Sequence, residues 1–268
     1  MCGIAGFCLA PGDESHATDV AWGMLKDIEH RGYDATGSAY INENKKFKLH
    51  KRNVDATNFL KGMGLNLCSS ARVALLHTRY ATKGDPSERG NNHPIHRGDI
   101  VLTHNGHVSN DDDLFRRLRV ARRAQVDSES VAALLAFTQE DYHPTEVLPA
   151  IRGTAALAWF DFKTGRDTLH LARVTSSPLH VGQTTSGSFL YASTLEAIRG
   201  ASFMLGQGEL EWEMPMEEGE YMKIKDGIVA EYMKFNRNCA TSFGPAKRNS
   251  QIADDESFKL LTSSATVG

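Results

Sequence analysis

The 268 residues, 41% hydrophobic and 24% charged with a formal net charge of −3, suffice to bury a sizeable core and supply no basic footprint for nucleic acid. The apolar runs fall short of a membrane span, and residues 1–10 lack a basic stretch before Pro11-Gly12, so neither anchor nor leader is expected. Cys2, Cys8, Cys68 and Cys239 have neither paired nor metal-ligand spacing, so the expectations are no disulfide, no metal, no cofactor and a reducing cytoplasm.

The chain opens on Met1-Cys2-Gly3-Ile4-Ala5-Gly6-Phe7. Loss of Met1 would make Cys2 the first residue, with a thiol and a free α-amine together, and such an amine (pKa about 7.7–8.0) is a usable base near neutrality. The apolar run reads as a strand on a sheet edge, and a plain core cysteine in that strand is the competing reading. If Cys2 is reactive, Cys8, Cys68 and Cys239 are expected to be packing residues. Val20, Met24, Leu25 and Ile28 recur at helical spacing across 17–30, and Arg31-Gly32-Tyr33-Asp34 follows as stop and turn. On the residues alone Arg31 could simply complement the helix dipole.

Residues 38–41 and 46–50 read as a hairpin, 55–63 as a short helix, and 72–76 as a strand delivering His77-Thr78-Arg79-Tyr80-Ala81-Thr82-Lys83-Gly84 to its end. Polar residues dominate from 84 to 98, a loop long enough to suggest function. A strand over 99–103 is expected to end in His104-Asn105-Gly106, whose side-chain amide and glycine N–H would point the same way. Helices are expected over 111–119 and 128–137, and on the residues alone Asp127 could simply cap the second. Arg116, Arg117, Arg119, Arg122 and Arg123 read as a solvated helix face. After a third helix near 146–151, strands are expected over 154–162, 168–174, 179–182 and 189–192. A helical turn at 195–199 and a closing hairpin over 221–224 and 228–232 complete an α+β architecture. Residues 236–268 turn polar and aperiodic and read as a tail, disordered or partner-docking, with Phe258, Leu260 and Leu261 as its apolar points.

The ordered set Cys2-Gly3-Ile4, Arg31-Gly32-Tyr33-Asp34, His77-Thr78-Arg79, Asn92-His93-Pro94, His104-Asn105-Gly106 and Asp127 resembles the class II glutamine amidotransferase domain, an N-terminal-nucleophile (Ntn) hydrolase. Ser177-Pro178-Leu179, Tyr191-Ala192-Ser193 and Glu218-Gly219-Glu220 extend the resemblance over 2–235, nearest in pattern to the glutaminase domain of glucosamine-6-phosphate synthase. It implies a four-layer αββα sandwich and hydrolysis of L-glutamine through a Cys2 thioester. It also implies an oxyanion hole of Asn105 and Gly106, substrate contacts from Arg79, Thr82 and Asp127, and support of Cys2 by Arg31 and Gly32. His93 is expected to be an ordinary polar loop residue. Tyr80 and Lys83 stand where the nearest relatives usually have Trp and His, in the loop expected to close over glutamine. With no acceptor domain after residue 235, the expected partner is an acceptor-enzyme subunit on another chain; a homo-oligomer is left open. A free-standing glutaminase, an Ntn hydrolase of another amide and a non-catalytic interaction module are the alternatives.

Overall fold

The computed structural model describes residues 1–138, 141–239 and 242–244. Its strands and helices follow in the order β1 (Gly3–Cys8), α1 (Ala17–Ile28), β2 (Ala35–Asn42), β3 (Phe47–Arg52), α2 (Ala56–Met63), β4 (Ala71–Arg79), β5 (Ile95–Arg97) and β6 (Ile100–Val108). There follow α3 (Asp111–Leu118), α4 (Ser128–Thr138), α5 (Pro144–Val147), β7 (Gly153–Asp161), β8 (Thr168–Arg173), β9 (His180–Gln183) and β10 (Phe189–Ala192). The last are α6 (Leu195–Met204), β11 (Trp212–Pro215), β12 (Glu220–Lys225) and β13 (Ile228–Lys234). No helix among the described residues is long and apolar enough to cross a membrane. The tail's apolar residues Phe258, Leu260 and Leu261 lie outside the described residues.

Two antiparallel sheets stack face to face, one of seven strands ordered β11-β9-β10-β1-β4-β2-β3 and one of six ordered β13-β12-β8-β7-β6-β5. Strand alternation assigns the faces. Ile4, Val73, Leu75, Val101, Phe160 and Leu171 meet between the sheets, whereas Phe7 and Leu76 face outward onto Met24, Leu25 and Ile28 of α1, Phe59 of α2 and Ile198 of α6. On the far side Leu102 and Trp159 face Leu114 of α3 and Leu134 of α4. Three apolar seams therefore separate four layers, giving the αββα sandwich expected from the resemblance.

Local chemistry agrees with this assembly. The periodic residues Val20, Met24, Leu25 and Ile28 are all buried on one face of α1, and the Asp55 carboxylate caps α2 by accepting the Asn58 N–H at 2.7 Å. α4 is buried nearly all round, including Glu129, which pairs with the buried Arg97 guanidinium of β5 and accepts the backbone N–H groups of Arg123 and Ala124.

Several expectations need correction. β1 is not an edge strand but lies between β10 and β4, so Cys2 enters the middle of a sheet. β4 runs on to Arg79 and β6 to Val108, so His77-Thr78-Arg79 and His104-Asn105-Gly106 belong to strands and do not follow them. α6 reaches Met204, and β5 and β11 were not anticipated. Cys239 is exposed and is no packing residue, whereas Cys8 and Cys68 are buried; all four thiols are free. The arginine cluster is a set of pairings around α3 and the segment after it: Arg116 with Asp113, Arg117 over Phe243, and Arg122 with Asp111 and Asp112.

Candidate active site

β1 and β4 pair antiparallel with Gly3 opposite Thr78, so one step further Cys2 lies across from Arg79, at the end of both strands. By alternation with Ile4, Cys2 continues the face that looks toward the second sheet, and Arg79 does the same by alternation with Leu75. The thiol is directed at the Tyr80 carbonyl, Sγ to O 3.6 Å, and the Arg31 guanidinium donates through Nε to the Cys2 carbonyl at 3.0 Å. Arg31 thus anchors the backbone of Cys2 and is not merely a charge at the end of a helix. Gly32 packs on the Arg79–Tyr80 peptide so closely that a β-carbon would stand 2.3 Å from the Arg79 carbonyl carbon. Both residues that the resemblance assigned to supporting Cys2 are therefore in contact with it or with its neighbour across the strand.

With Met1 attached, burial raises the Cys2 thiol pKa above its ordinary value. The Tyr80 carbonyl contact, the chain's amine and Arg79 act in the lowering direction, and Asp127 in the raising one. A buried cation and a buried anion thus both act on the same sulfur.

Arg79 is almost wholly buried, and its guanidinium is already partly used: Nη1 donates to Asn92 Oδ1 at 2.7 Å, and Nη2 donates to the Lys83 and Gly84 carbonyls, each at 2.7 Å. Of five N–H groups, the Nε–H and one on Nη1 remain for a carboxylate. The loop 80–84 folds onto Arg79 by those two carbonyls and is held at its start by the Asp34 carboxylate, which accepts the Ala81 N–H at 2.7 Å. Lys83 reaches to Asp111 at the start of α3. Thr82 lies exposed on this loop and makes no hydrogen bond among the described residues.

The second sheet supplies β6. Asn105 alternates with Val101, so it faces the first sheet; its side-chain nitrogen is buried with no hydrogen-bond partner among the described residues. A buried amide donor left unused is uncommon, and here it is available to an incoming oxygen. Gly106, at φ +150, lies opposite Ala155, whose N–H donates to Thr175 Oγ1 and whose carbonyl accepts from Val174 on the β8 side. That pleat makes Gly106–Ala155 a non-hydrogen-bonded pair and turns the Gly106 N–H away from β7. A β-carbon at Gly106 would lie 1.9 Å from the Thr154 carbonyl oxygen, which accounts for the glycine.

The Asp127 carboxylate does not cap α4. Oδ2 accepts the Val108 N–H at 2.6 Å and lies 3.4 Å from His107 Nδ1, tying it to the end of β6, while Oδ1 accepts nothing among the described residues. Its backbone carbonyl, by contrast, accepts the Ser130 N–H and hydroxyl.

Sequence reasoning left out the support behind this face. His93 is no ordinary polar loop residue: it is buried and stacks on His77 with centroids 4.1 Å apart, and His104 lies 6.5 Å beyond. Burial pushes His77 down to about 3 and lowers His93 and His104, so the trio is uncharged at neutral pH. His77 Nε2 meets the His104 carbonyl at 3.2 Å, bridging β4 of one sheet to β6 of the other next to Asn105. His77 therefore ties the two sheets together at the site, while the His104 ring turns outward to the Ser128 hydroxyl of α4 at 2.8 Å. Asn92 and Asp34, quoted only as parts of motifs, hold Arg79 and its loop. The Tyr80 carbonyl, being backbone, leaves no signal in sequence.

Among known proteins, residues 77–200 match a family described as a glutamine amidotransferase domain. The chain is 31% identical over 206 residues to glutamine–fructose-6-phosphate aminotransferase (isomerizing) of Helicobacter pylori, covering 74% of this chain and 33% of that protein. It is 32% identical over 242 residues to the enzyme of the same name from Zymomonas mobilis, covering 85% and 38%. The chain thus spans about a third of the length of these curated relatives. Glutamine phosphoribosylpyrophosphate amidotransferase from B. subtilis shares the fold, with a TM-score of 0.69 at 21% identity over 88% of this chain and 49% of that one.

Proposed function

Because the chain is a class II glutamine amidotransferase domain of the Ntn-hydrolase fold, we propose that it hydrolyses the side-chain amide of L-glutamine with Cys2 as nucleophile. Removal of Met1 frees the Cys2 α-amine, which takes the thiol proton as Sγ attacks the carboxamide carbon. Asn105 Nδ2 and the Gly106 N–H receive the oxyanion. The amine returns its proton as the C–N bond breaks, so ammonia leaves and a γ-glutamyl thioester remains. Water, deprotonated by the same amine, then attacks the thioester and releases glutamate and the thiol.

Arg79 takes the substrate α-carboxylate and Asp127 its α-ammonium through the open Oδ1, a zwitterion clamp that favours a free amino acid over a glutamine within a peptide. Thr82 contributes from the loop above. The observation that carries this reading is the pair of buried opposite charges placed at the site, Arg79 at the end of β4 across from Cys2 and Asp127 tied to the end of β6. An Ntn hydrolase of another amide would have no use for that pair.

The ammonia passes to an acceptor, in keeping with relatives whose names pair glutamine with a second substrate. A glutamate-release assay tests the core of the reading: the processed chain should form glutamate from glutamine and Cys2→Ala should not. Equal rates from the two proteins, or no hydrolysis by the processed chain with any acceptor system, would overturn it.

A further inference from the structure

The free edge of β3 in one sheet and β5 at the edge of the other flank an open cleft of about 1210 Å³. Its walls carry Lys48, Lys51 and Arg52 of β3, Arg89 from the turn before β5, and Arg123 after α3. The two carboxylates on its lining, Glu43 and Glu129, do not pair with Lys51, Arg52 or Arg89, and Glu129 is consumed by Arg97 and by backbone N–H groups. Lys51, Arg52 and Arg89 form no ion pair with any carboxylate among the described residues. The rings of Tyr40 and His50 stack on one wall, centroids 5.9 Å apart.

Charged residues on an edge strand commonly guard it against pairing, and that accounts for Lys48 and Arg52. It accounts neither for Arg89, which comes from a different element, nor for Lys51, whose amine is desolvated. Burial and the neighbouring Arg89 push Lys51 down to about 7. After burial, Lys48, Arg52 and Arg89 are what lower His50; Lys48, His50 and Arg52 share one face of β3 with Tyr40 of β2, whereas Lys51 lies on the opposite face with Phe47 and Leu49. Like charges gathered in a cleft are costly until a counter-charge arrives, and the volume suits a small organic molecule better than a bare ion.

The same cleft reaches the candidate active site by a short path. Lys51 Nζ donates to the Asn92 carbonyl at 2.8 Å, and Asn92 Oδ1 accepts from Arg79 Nη1 at 2.7 Å. Asn92 Nδ2 is fixed on the Pro86 carbonyl at 2.7 Å, so the loop 84–98 is the wall between the two sites.

We propose that this cleft binds a small molecule bearing a phosphate group, held by Arg52 and Arg89 beside the Tyr40–His50 wall, and that its occupancy is transmitted from Arg89, whose carbonyl accepts the Asn92 N–H at 3.3 Å, through Asn92 to Arg79. The binding half stands on the cleft alone; the consequence for glutamine rests on the reading of Arg79 given above. Phenyl phosphate is a suitable probe, with an aromatic ring for the Tyr40–His50 wall and a dianion for the cations.

Calorimetry on the full chain should show binding of phenyl phosphate and none of phenol, weakened at least tenfold in Arg52→Gln/Arg89→Gln, two exposed positions whose change should leave the melting temperature unchanged. In protein carrying ¹⁵N-arginine, the Arg79 side-chain resonance, assigned with Arg79→Lys, should move on adding phenyl phosphate, and glutamine KM should change several-fold. Absence of binding, or binding undiminished in the double variant, overturns the site. Binding that leaves the Arg79 resonance and KM untouched overturns the coupling. If glutamine were not hydrolysed at all, the calorimetric and resonance measurements would still decide this proposal.

Discussion

Gly32 has extended backbone, φ −173, so its need to be glycine comes from the Arg79–Tyr80 peptide lying against it. Gly32→Ala should cost about 1–3 kcal/mol, because the obstacle is the Arg79–Tyr80 backbone and cannot rotate aside. A thermal melt should show a fall of several degrees, accompanied by loss of glutaminase activity as the partner of the Cys2 thiol shifts. The oxyanion and clamp assignments make opposite kinetic predictions. Asn105→Ala removes a donor used mainly in the transition state, so kcat should fall about 10²- to 10³-fold with KM largely kept. Arg79→Lys replaces a planar guanidinium, fixed by Asn92 and the Lys83 and Gly84 carbonyls, that meets a charge already present in the ground state, so KM should rise and kcat change less. Steady-state kinetics giving both variants the same pattern would contradict the two roles. At this scale the sequence was legible where a side chain does the work, as with Cys2, Arg79, Asn105 and Asp127. It was silent where backbone does, as with the Tyr80 carbonyl, and it understated His93, whose burial depends on two sheets meeting.

The loop 80–84 is the element whose behaviour decides access to Cys2. Its attachments are the Asp34 carboxylate on Ala81, the two carbonyls on Arg79, and the Lys83–Asp111 ion pair, which Arg122 shares. Lys83 is partly exposed, so its pairing is worth at most about 1 kcal/mol. Lys83→Met should therefore change glutamine KM by no more than about fivefold, with the effect fading as salt is added to the unmodified enzyme. A KM unchanged at low salt would show that the ion pair does not hold the loop. Helices α1 to α3 follow the periodicity of their residues, because one face of each packs and the other does not, whereas α4 and the strands β2, β7 and β8 are covered on both sides and read as near-continuous apolar runs. The ends of β4 and β6 escape that logic: His77, Arg79 and Asn105 are polar residues at inward positions, where alternation alone calls for apolar ones. β5 and β11 are too short for a pattern to accumulate. In α6 the exposed Phe203, 75% accessible, breaks the amphipathic count near the C-terminal end.

Several histidines far apart in the molecule are buried and held uncharged at neutral pH. Burial pushes His77 and His170 down to about 3 and His96 to about 4, from an ordinary value of 6.5. A base whose folded pKa lies below its unfolded one stabilises fully above the unfolded value and loses that contribution as pH falls toward the folded value, because the unfolded chain binds protons first. The affected window is pH 6.5 down to about 3 to 4. Between pH 6.5 and 5 each of these three histidines withdraws roughly 1.5 kcal/mol, several kcal/mol together. Urea unfolding should therefore show stability falling steeply with acidification from pH 6.5, before carboxylates titrate. A flat profile down to pH 5 would mean that the histidines are not sequestered as described. The sandwich architecture was implied by the resemblance, but the His77–His93 stack and the His77 bridge to the His104 carbonyl were not, since they join residues from β4, β6 and the 84–98 loop.

The account turns on Cys2 as an N-terminal nucleophile, and intact-mass and peptide spectrometry of protein acid-quenched during glutamine turnover addresses it most directly. The expected result is Met1 absent and a γ-glutamyl adduct on Cys2, with no adduct on Cys8, Cys68 or Cys239. Met1 uniformly retained in a preparation that hydrolyses glutamine, or an adduct on one of the other three cysteines, would contradict the account.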